Sequence, residues 1–155
     1  MAAMAIIAVC GPGDPDVDPR ALADAQAAGR VIAQAGATLV CGGLGGAMEA
    51  ACRGAAQAGG VTVGLLPGDD PAAANPWVTV PLATGLGELR NGLIVRAAQV
   101  VVVFHGGWGT LSEVALARKI GRPVVAVGDW PPGTELERTA DGAQAAARAL
   151  ELAGR

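Results

Sequence analysis

The chain has 155 residues, and its 34 Ala and 24 Gly together account for 58 of them, while Phe, Trp and Tyr account for four. Hydrophobic residues make up 52%, charged residues 16%, and the formal net charge is −3. This excludes a disordered polyampholyte. The longest apolar runs are too short to span a bilayer. Ten of the eleven basic residues are Arg and they are scattered, so the chain lacks the basic stripe of a nucleic-acid platform. Cys10, Cys41 and Cys52 form no C-x-x-C pair, which supports neither a disulfide framework nor a zinc site. A chain of this length suits one domain, 1–155, and the reading places it in a reducing cytoplasm with no membrane segment.

Strand-length apolar runs alternate with helix-length segments. Residues 5–10 read as a strand, with no basic residues ahead of them to suggest a signal peptide. Residues 19–35 form a helix opened by Asp18 as cap and Pro19 at its first position, and closed by Gly36. A strand over 38–41, a helix over 47–58 and a strand over 61–66 follow. A turn-rich loop (67–76) leads to a short strand at 78–80 and a helix at about 88–98. A strand at 100–104, a helix at 110–120 and a last clear strand at 124–127 come next. A Pro/Gly turn at 131–133 precedes a C-terminal helix at about 141–152. Near-continuous apolar strands alternating with helices predict a doubly wound, mainly parallel α/β sheet, Rossmann-like, with helices on both faces. Ligands bind such sheets at the carboxyl ends of the strands.

Three glycine clusters follow strands: Gly11 and Gly13 around Pro12; Gly42, Gly43, Gly45 and Gly46; and Gly106, Gly107 and Gly109. The last two run straight into helices, where glycine allows close backbone approach and helix N-termini offer free N–H groups. That combination predicts an anion site, usually for phosphate. Turn chemistry alone is the plainer alternative. No dinucleotide fingerprint or Walker A sequence is present, so a mononucleotide or other single phosphate ester is expected rather than NAD or ATP.

The segments GGLGGAME (42–49) and GGWGTLSE (106–113), with ELRN (88–91) between, resemble the LONELY GUY (LOG) superfamily of Rossmann-like nucleotide-binding proteins. More narrowly they are similar to its short bacterial branch, which includes molybdenum cofactor carrier proteins. The resemblance covers about residues 5–128. It implies a nucleoside 5′-monophosphate phosphoribohydrolase, releasing base and ribose 5-phosphate without a cofactor. The catalytic pair would be Arg90 and Glu113, and the phosphate loop 106–110 would use Thr110. Met48 and Asn91 join the implied ligand-binding residues, and no metal is implied. The pattern departs at Asn91, where the enzymes carry Lys, and at His105, where they carry Pro. Losing a Lys charge weakens anion binding. The alternative is therefore a non-catalytic carrier or sensor of a phosphate-bearing ligand, such as molybdenum cofactor with its pterin phosphate. The resemblance also implies a homodimer or homotetramer.

Other side chains have two readings. The sequence T-L-S-E (110–113) is also a capping box. Glu49 and Glu88 suit a ribose hydroxyl or the orientation of Arg90, or simply solvated helix ends. His105 and Trp108 lie in or beside the loop as ligand contacts or packing groups, and Cys10 and Cys41 suit soft ligation or buried packing. A pyridoxal-dependent lysine decarboxylase is rejected: the sole Lys, Lys119, lies at the far end of a helix about 15 Å long.

Overall fold

Strand-length runs of Val, Ile, Leu, Ala and Cys form the middle of one seven-stranded sheet. The computed structural model describes residues 3–130 and 134–154, so the turn expected at 131–133 lies outside the described residues. The strands are β1 Ile6–Cys10, β2 Thr38–Cys41, β3 Thr62–Leu66, β4 Val80–Ala83, β5 Val100–Phe104, β6 Val124–Val127 and β7 Glu137–Thr139. They lie in the order β4-β3-β2-β1-β5-β6-β7. Every pairing is parallel; Ile7 faces Leu39 on one side and Val100 on the other.

The helices are α1 Pro19–Gln34, α2 Ala47–Gln57, α3 Arg90–Ala97, α4 Trp108–Lys119 and α5 Gly142–Ala153. One face of the sheet is covered by α1, α2 and α5 around Ile7, Val9, Leu39 and Val102. The other is covered by α3 and α4 around Ala8, Val101, Val103 and Ile94. Alternation along each central strand sends successive side chains to opposite cores. Glycine permits the close helix packing that an aromatic-poor core needs. A Cβ at Gly29 of α1 would overlap the Ala51 carbonyl of α2, and one at Gly54 would overlap the Gln26 carbonyl.

Four elements differ from the sequence reading. The strand expected at 78–80 is β4, Val80–Ala83. Thr79, just before it, is tied to Thr62 by side chain and backbone: Thr62 N donates to Thr79 Oγ1 (2.9 Å), and Thr79 N to Thr62 Oγ1 (2.8 Å) and to the Thr62 carbonyl (3.1 Å). Pro81 is tolerated because β4 is an edge strand. The strand β6 is not the last, since Glu137–Thr139 adds β7 to its outer edge. The helix expected from 88 begins as a 3₁₀ turn, Gly87–Leu89, before α3. Finally, α4 starts at Trp108 rather than Thr110.

The strand order reverses between β1 and β5: the chain runs outward through β2, β3 and β4, then returns to β5 beside β1. The loops leaving β1 and β5 therefore diverge at the carboxyl edge, opening the crevice where such sheets bind ligands.

Candidate functional site

That crevice is a cavity of about 230 Å³, whose lining includes Gly11, Gly13, Met48, Arg90, Asn91, Gly107, Gly109, Thr110 and Glu113. Nine of the fourteen site residues expected from the sequence thus meet around one space. The other five, Gly42, Gly43, Gly45, Gly46 and Gly106, support its walls. An ideal Cβ at Gly42 would stand 2.6 Å from the Arg90 Nη2. The Gly43 carbonyl accepts from Asn75 N at 2.9 Å. A Cβ at Gly45 would stand 3.3 Å from the Gly13 carbonyl, and one at Gly46 would overlap the Pro12 carbonyl. A Cβ at Gly106 would meet Thr110 Oγ1 at 2.5 Å.

Helix α4 aims its N-terminus into the cavity. Gly107 precedes its first residue and supplies no side-chain cap. The first N–H groups of a helix lack intrahelical acceptors, and a partial positive charge gathers there. Thr110 sits inside the first turn, so the capping box expected from its spacing with Glu113 does not form: Thr110 is too late to be the cap. Its side chain is buried at the cavity wall instead. The N-terminus of α2 differs, because Ala47 N already donates to the Pro12 carbonyl at 2.9 Å.

Arg90, the first residue of α3, is only 9% exposed. Its Nη1 donates to Asn91 Oδ1, while its buried Nε has no hydrogen-bond partner. Among the described residues the ion pairs are Arg148 with Glu137 and with Glu151, so the Arg90 guanidinium is in none. Asn91 Nδ2 donates to Ser112 Oγ at 3.1 Å, and Ser112 Oγ donates to the Gly109 carbonyl at 2.6 Å. Asn91 thus ties Arg90 to the first turn of α4.

Glu113, 7% exposed, stands one turn further along α4. Burial pushes its carboxyl up to about 7, against the opposing pull of a Cys10 hydrogen bond and the Arg90 charge. Burial, reinforced by the Glu113 charge, raises the Cys10 thiol well above its ordinary value. The site therefore presents a partly protonated carboxyl at neutral pH beside a fixed cation. Such a group can accept or donate one hydrogen bond to a polar ligand without the full repulsion of a carboxylate.

Asp14 and Ser112 were not among the expected site residues, and Cys10 was expected as a soft ligand or a packing group rather than as a partner of Glu113. Its place there could have been found from strand alternation: it follows Val9, whose side chain enters the α1/α2/α5 core, and so must face α4. Cys41 faces the opposite core, its Sγ 3.5 Å from Cys52 Sγ. Exposed His105 packs edge-on against Trp130 with centroids 5.3 Å apart, and Trp108 is 86% exposed. Glu49 and Glu88 make no hydrogen bond or ion pair with Arg90 among the described residues. No three His, Cys, Asp or Glu side chains are grouped to hold a metal ion among the described residues. No helix among them is long and apolar enough to cross a membrane.

The model of the SLOG cluster4 family matches residues 4–152. The chain belongs to that family. It is similar to the molybdenum cofactor binding protein of Rippkaea orientalis, at 32% identity and TM-score 0.88, with 97% of this chain and 98% of that one covered. It is also similar to the molybdenum cofactor carrier protein of Chlamydomonas reinhardtii, at 35% identity and TM-score 0.86, with 99% and 100% covered. An uncharacterised protein of Archaeoglobus fulgidus is 37% identical over 121 residues, 78% of each chain. The Rossmann-like fold expected from the LOG resemblance is shared with these structures. They support the carrier alternative rather than the hydrolase.

Proposed function

We propose that this SLOG-family chain is a carrier for a phosphate-bearing ligand of the molybdenum cofactor type. The observation that carries the reading is Arg90: a buried guanidinium with an orphaned Nε and no ion pair among the described residues, at the wall of a cavity entered by a helix N-terminus. Burying an unpaired charge costs several kcal/mol, which an anionic ligand would offset. A phosphate fits: the α4 N–H groups and Thr110 hydroxyl would hold its oxygens, and Arg90 would add charge-assisted bonds. Names of relatives at 32% and 35% identity point to the same cargo. The fully buried thiols of Cys10, Cys41 and Cys52 do not present a sulfur ligand to the metal, so the reading rests on the phosphate end.

The phosphoribohydrolase reading keeps one favourable feature, a Glu113 carboxyl near neutrality beside Arg90. Glycosidases work with a pair of carboxyl groups; Glu113 is the only buried carboxyl residue among the described residues, and Asp14, the other carboxyl at this cavity, is exposed. A homodimer or homotetramer belongs to the carrier reading, with exposed Leu82, Leu89 and Leu93 as uncovered apolar surface.

Mass spectrometry of the ligand retained by natively purified protein tests the proposal, and a pterin phosphate is the expected species. Release of free base from a panel of nucleoside 5′-monophosphates, abolished by Glu113→Ala, would instead establish the hydrolase.

A further inference from the structure

At about 230 Å³ the Arg90 cavity holds a phosphate and little more than a sugar, less than the usual range for a whole organic ligand. A larger cavity, about 570 Å³, opens between the N-terminal halves of α1 and α2, and both cavities have Asp14 in their walls. Leu22 and Gln26 of α1, Glu49 and Arg53 of α2, and Trp77 line it. Trp77 packs against the α1/α2/α5 core, and two features of the cavity go beyond that packing. The Trp77 ring is half-buried, with the Arg53 guanidinium 5.8 Å from its centroid. Glu49 lies one helical turn before Arg53, at a spacing that favours an ion pair. Yet Arg53 is drawn over the indole, and the carboxylate of half-buried Glu49 has no hydrogen bond or ion pair among the described residues.

An unpartnered carboxylate in the same cavity as an indole suits a flat ring with N–H donors along one edge. We propose that this cavity receives the ring system of the ligand whose phosphate Arg90 holds. The ring it selects is a 2-amino-4-oxopyrimidine fused to a second ring, the chemistry shared by pterins and guanine. Glu49 accepts from the ring N–H and the adjacent 2-amino group, and the ring stacks on Trp77 in place of the Arg53 guanidinium. Adenine places an acceptor nitrogen at the same edge, where the carboxylate would meet a lone pair. This inference rests on the phosphate reading above. A third cavity of about 380 Å³ also touches Asp14. Its one aromatic side chain is His105, already packed against Trp130, and its Asp18 caps α1 by accepting from Arg20 N.

The test is calorimetric titration of the full chain with ribose 5-phosphate, adenosine 5′-monophosphate, guanosine 5′-monophosphate and 6-hydroxymethylpterin phosphate. The native chain is expected to bind at least one of the last two roughly tenfold or more tighter than the adenine nucleotide. The tighter of the two identifies the source of the ring. Glu49→Gln should reduce that preference to about twofold or less without changing ribose 5-phosphate binding. Trp77→Leu should weaken the ring ligands about tenfold, again sparing ribose 5-phosphate, which also shows that the variant is folded. His105→Ala should change none of them. Equal binding of adenine and 2-amino-4-oxo ligands, a preference that survives Glu49→Gln, or a loss on His105→Ala matching that on Trp77→Leu would overturn the inference. Absence of ribose 5-phosphate binding to the native chain would overturn the phosphate reading and this inference together. Ribose 5-phosphate binding without ring discrimination would overturn this inference alone.

Discussion

Two glycine-rich loops leave the same edge of the sheet and enter helices, yet they use glycine in opposite ways. At 42–46 the glycines are enclosed. Gly43 packs on Leu66 and Gly64, Gly46 packs on Pro12 and Gly13, and the first N–H of α2 is taken by the Pro12 carbonyl. At 106–109 only Gly106 is crowded; a Cβ on Gly107 or Gly109 would meet nothing within 4 Å. The same composition therefore marks a structural joint in one loop and an open cradle in the other. A count of glycines cannot separate them, but what surrounds each Cα can.

Substitution at the joint should give the largest effect. Gly46 has φ 63°, unfavourable for any residue with a Cβ, and that Cβ would overlap the Pro12 backbone. Gly46→Ala is expected to destabilise the chain by roughly 3–5 kcal/mol, combining backbone strain with overpacking. Chemical denaturation would measure it. A loss below about 1 kcal/mol would show that the 42–46 loop is not a rigid joint.

The cradle side makes a pH prediction of slightly smaller size. The Glu113 carboxyl lies at about 7 against an ordinary 4.5, so the folded state binds its proton more tightly than the unfolded state. The stabilisation is fully present below about 4.5 and is lost as pH rises through about 7. A shift of this size corresponds to roughly 2–4 kcal/mol. Denaturation of the native chain from pH 4.5 to 8 should show that loss, and Glu113→Gln should flatten it. If the two profiles run parallel, the carboxyl is not held in the buried environment that the cradle provides.

Arg90 separates binding from folding. Arg90→Ala should weaken ribose 5-phosphate binding about ten- to a hundredfold, the worth of charge-assisted bonds to phosphate, as read by calorimetry. Asn91→Ala should cost less, since Asn91 holds the guanidinium to the α4 turn through Ser112 rather than carrying charge itself. An Asn91→Ala loss equal to that of Arg90→Ala would make Asn91 a direct ligand contact.

Much of this is legible in the sequence. Val-rich runs such as 100–104 can only be strands buried on both faces, and their alternation with helices dictates a parallel sheet. The glycine clusters, Arg90 and Glu113 could be marked because each follows an apolar run or opens a helix. What stayed hidden depended on tertiary neighbours. Strand β7, Glu-Arg-Thr, carries no apolar signal and exists because β6 offers it an unpaired edge. Strand β4 begins after Thr79, whose bonds run largely to the Thr62 side chain, a pairing 17 residues apart in the chain. The Thr110–Glu113 spacing resembled a cap because sequence cannot tell a first turn from the residue before it. Glu113's partner Cys10 arrives from a strand 103 residues earlier, beyond any local pattern.

The smallest effect is the most telling for the contrast between the loops. Gly109 is the second residue of α4, so a helical backbone already suits it, and its missing Cβ faces open space. If its glycine were there for packing, Gly109→Ala would destabilise the chain as Gly46→Ala does. If it is there to let a ligand approach the backbone, alanine should leave stability unchanged or raise it by up to about 1 kcal/mol through better helix propensity. The added methyl would narrow the cavity that Gly109 lines, and ribose 5-phosphate affinity should fall severalfold. Paired melting and titration of this one variant therefore give opposite signs for stability and binding. A melting temperature that falls together with affinity would place Gly109 in the same class as Gly46 and erase the distinction between the loops.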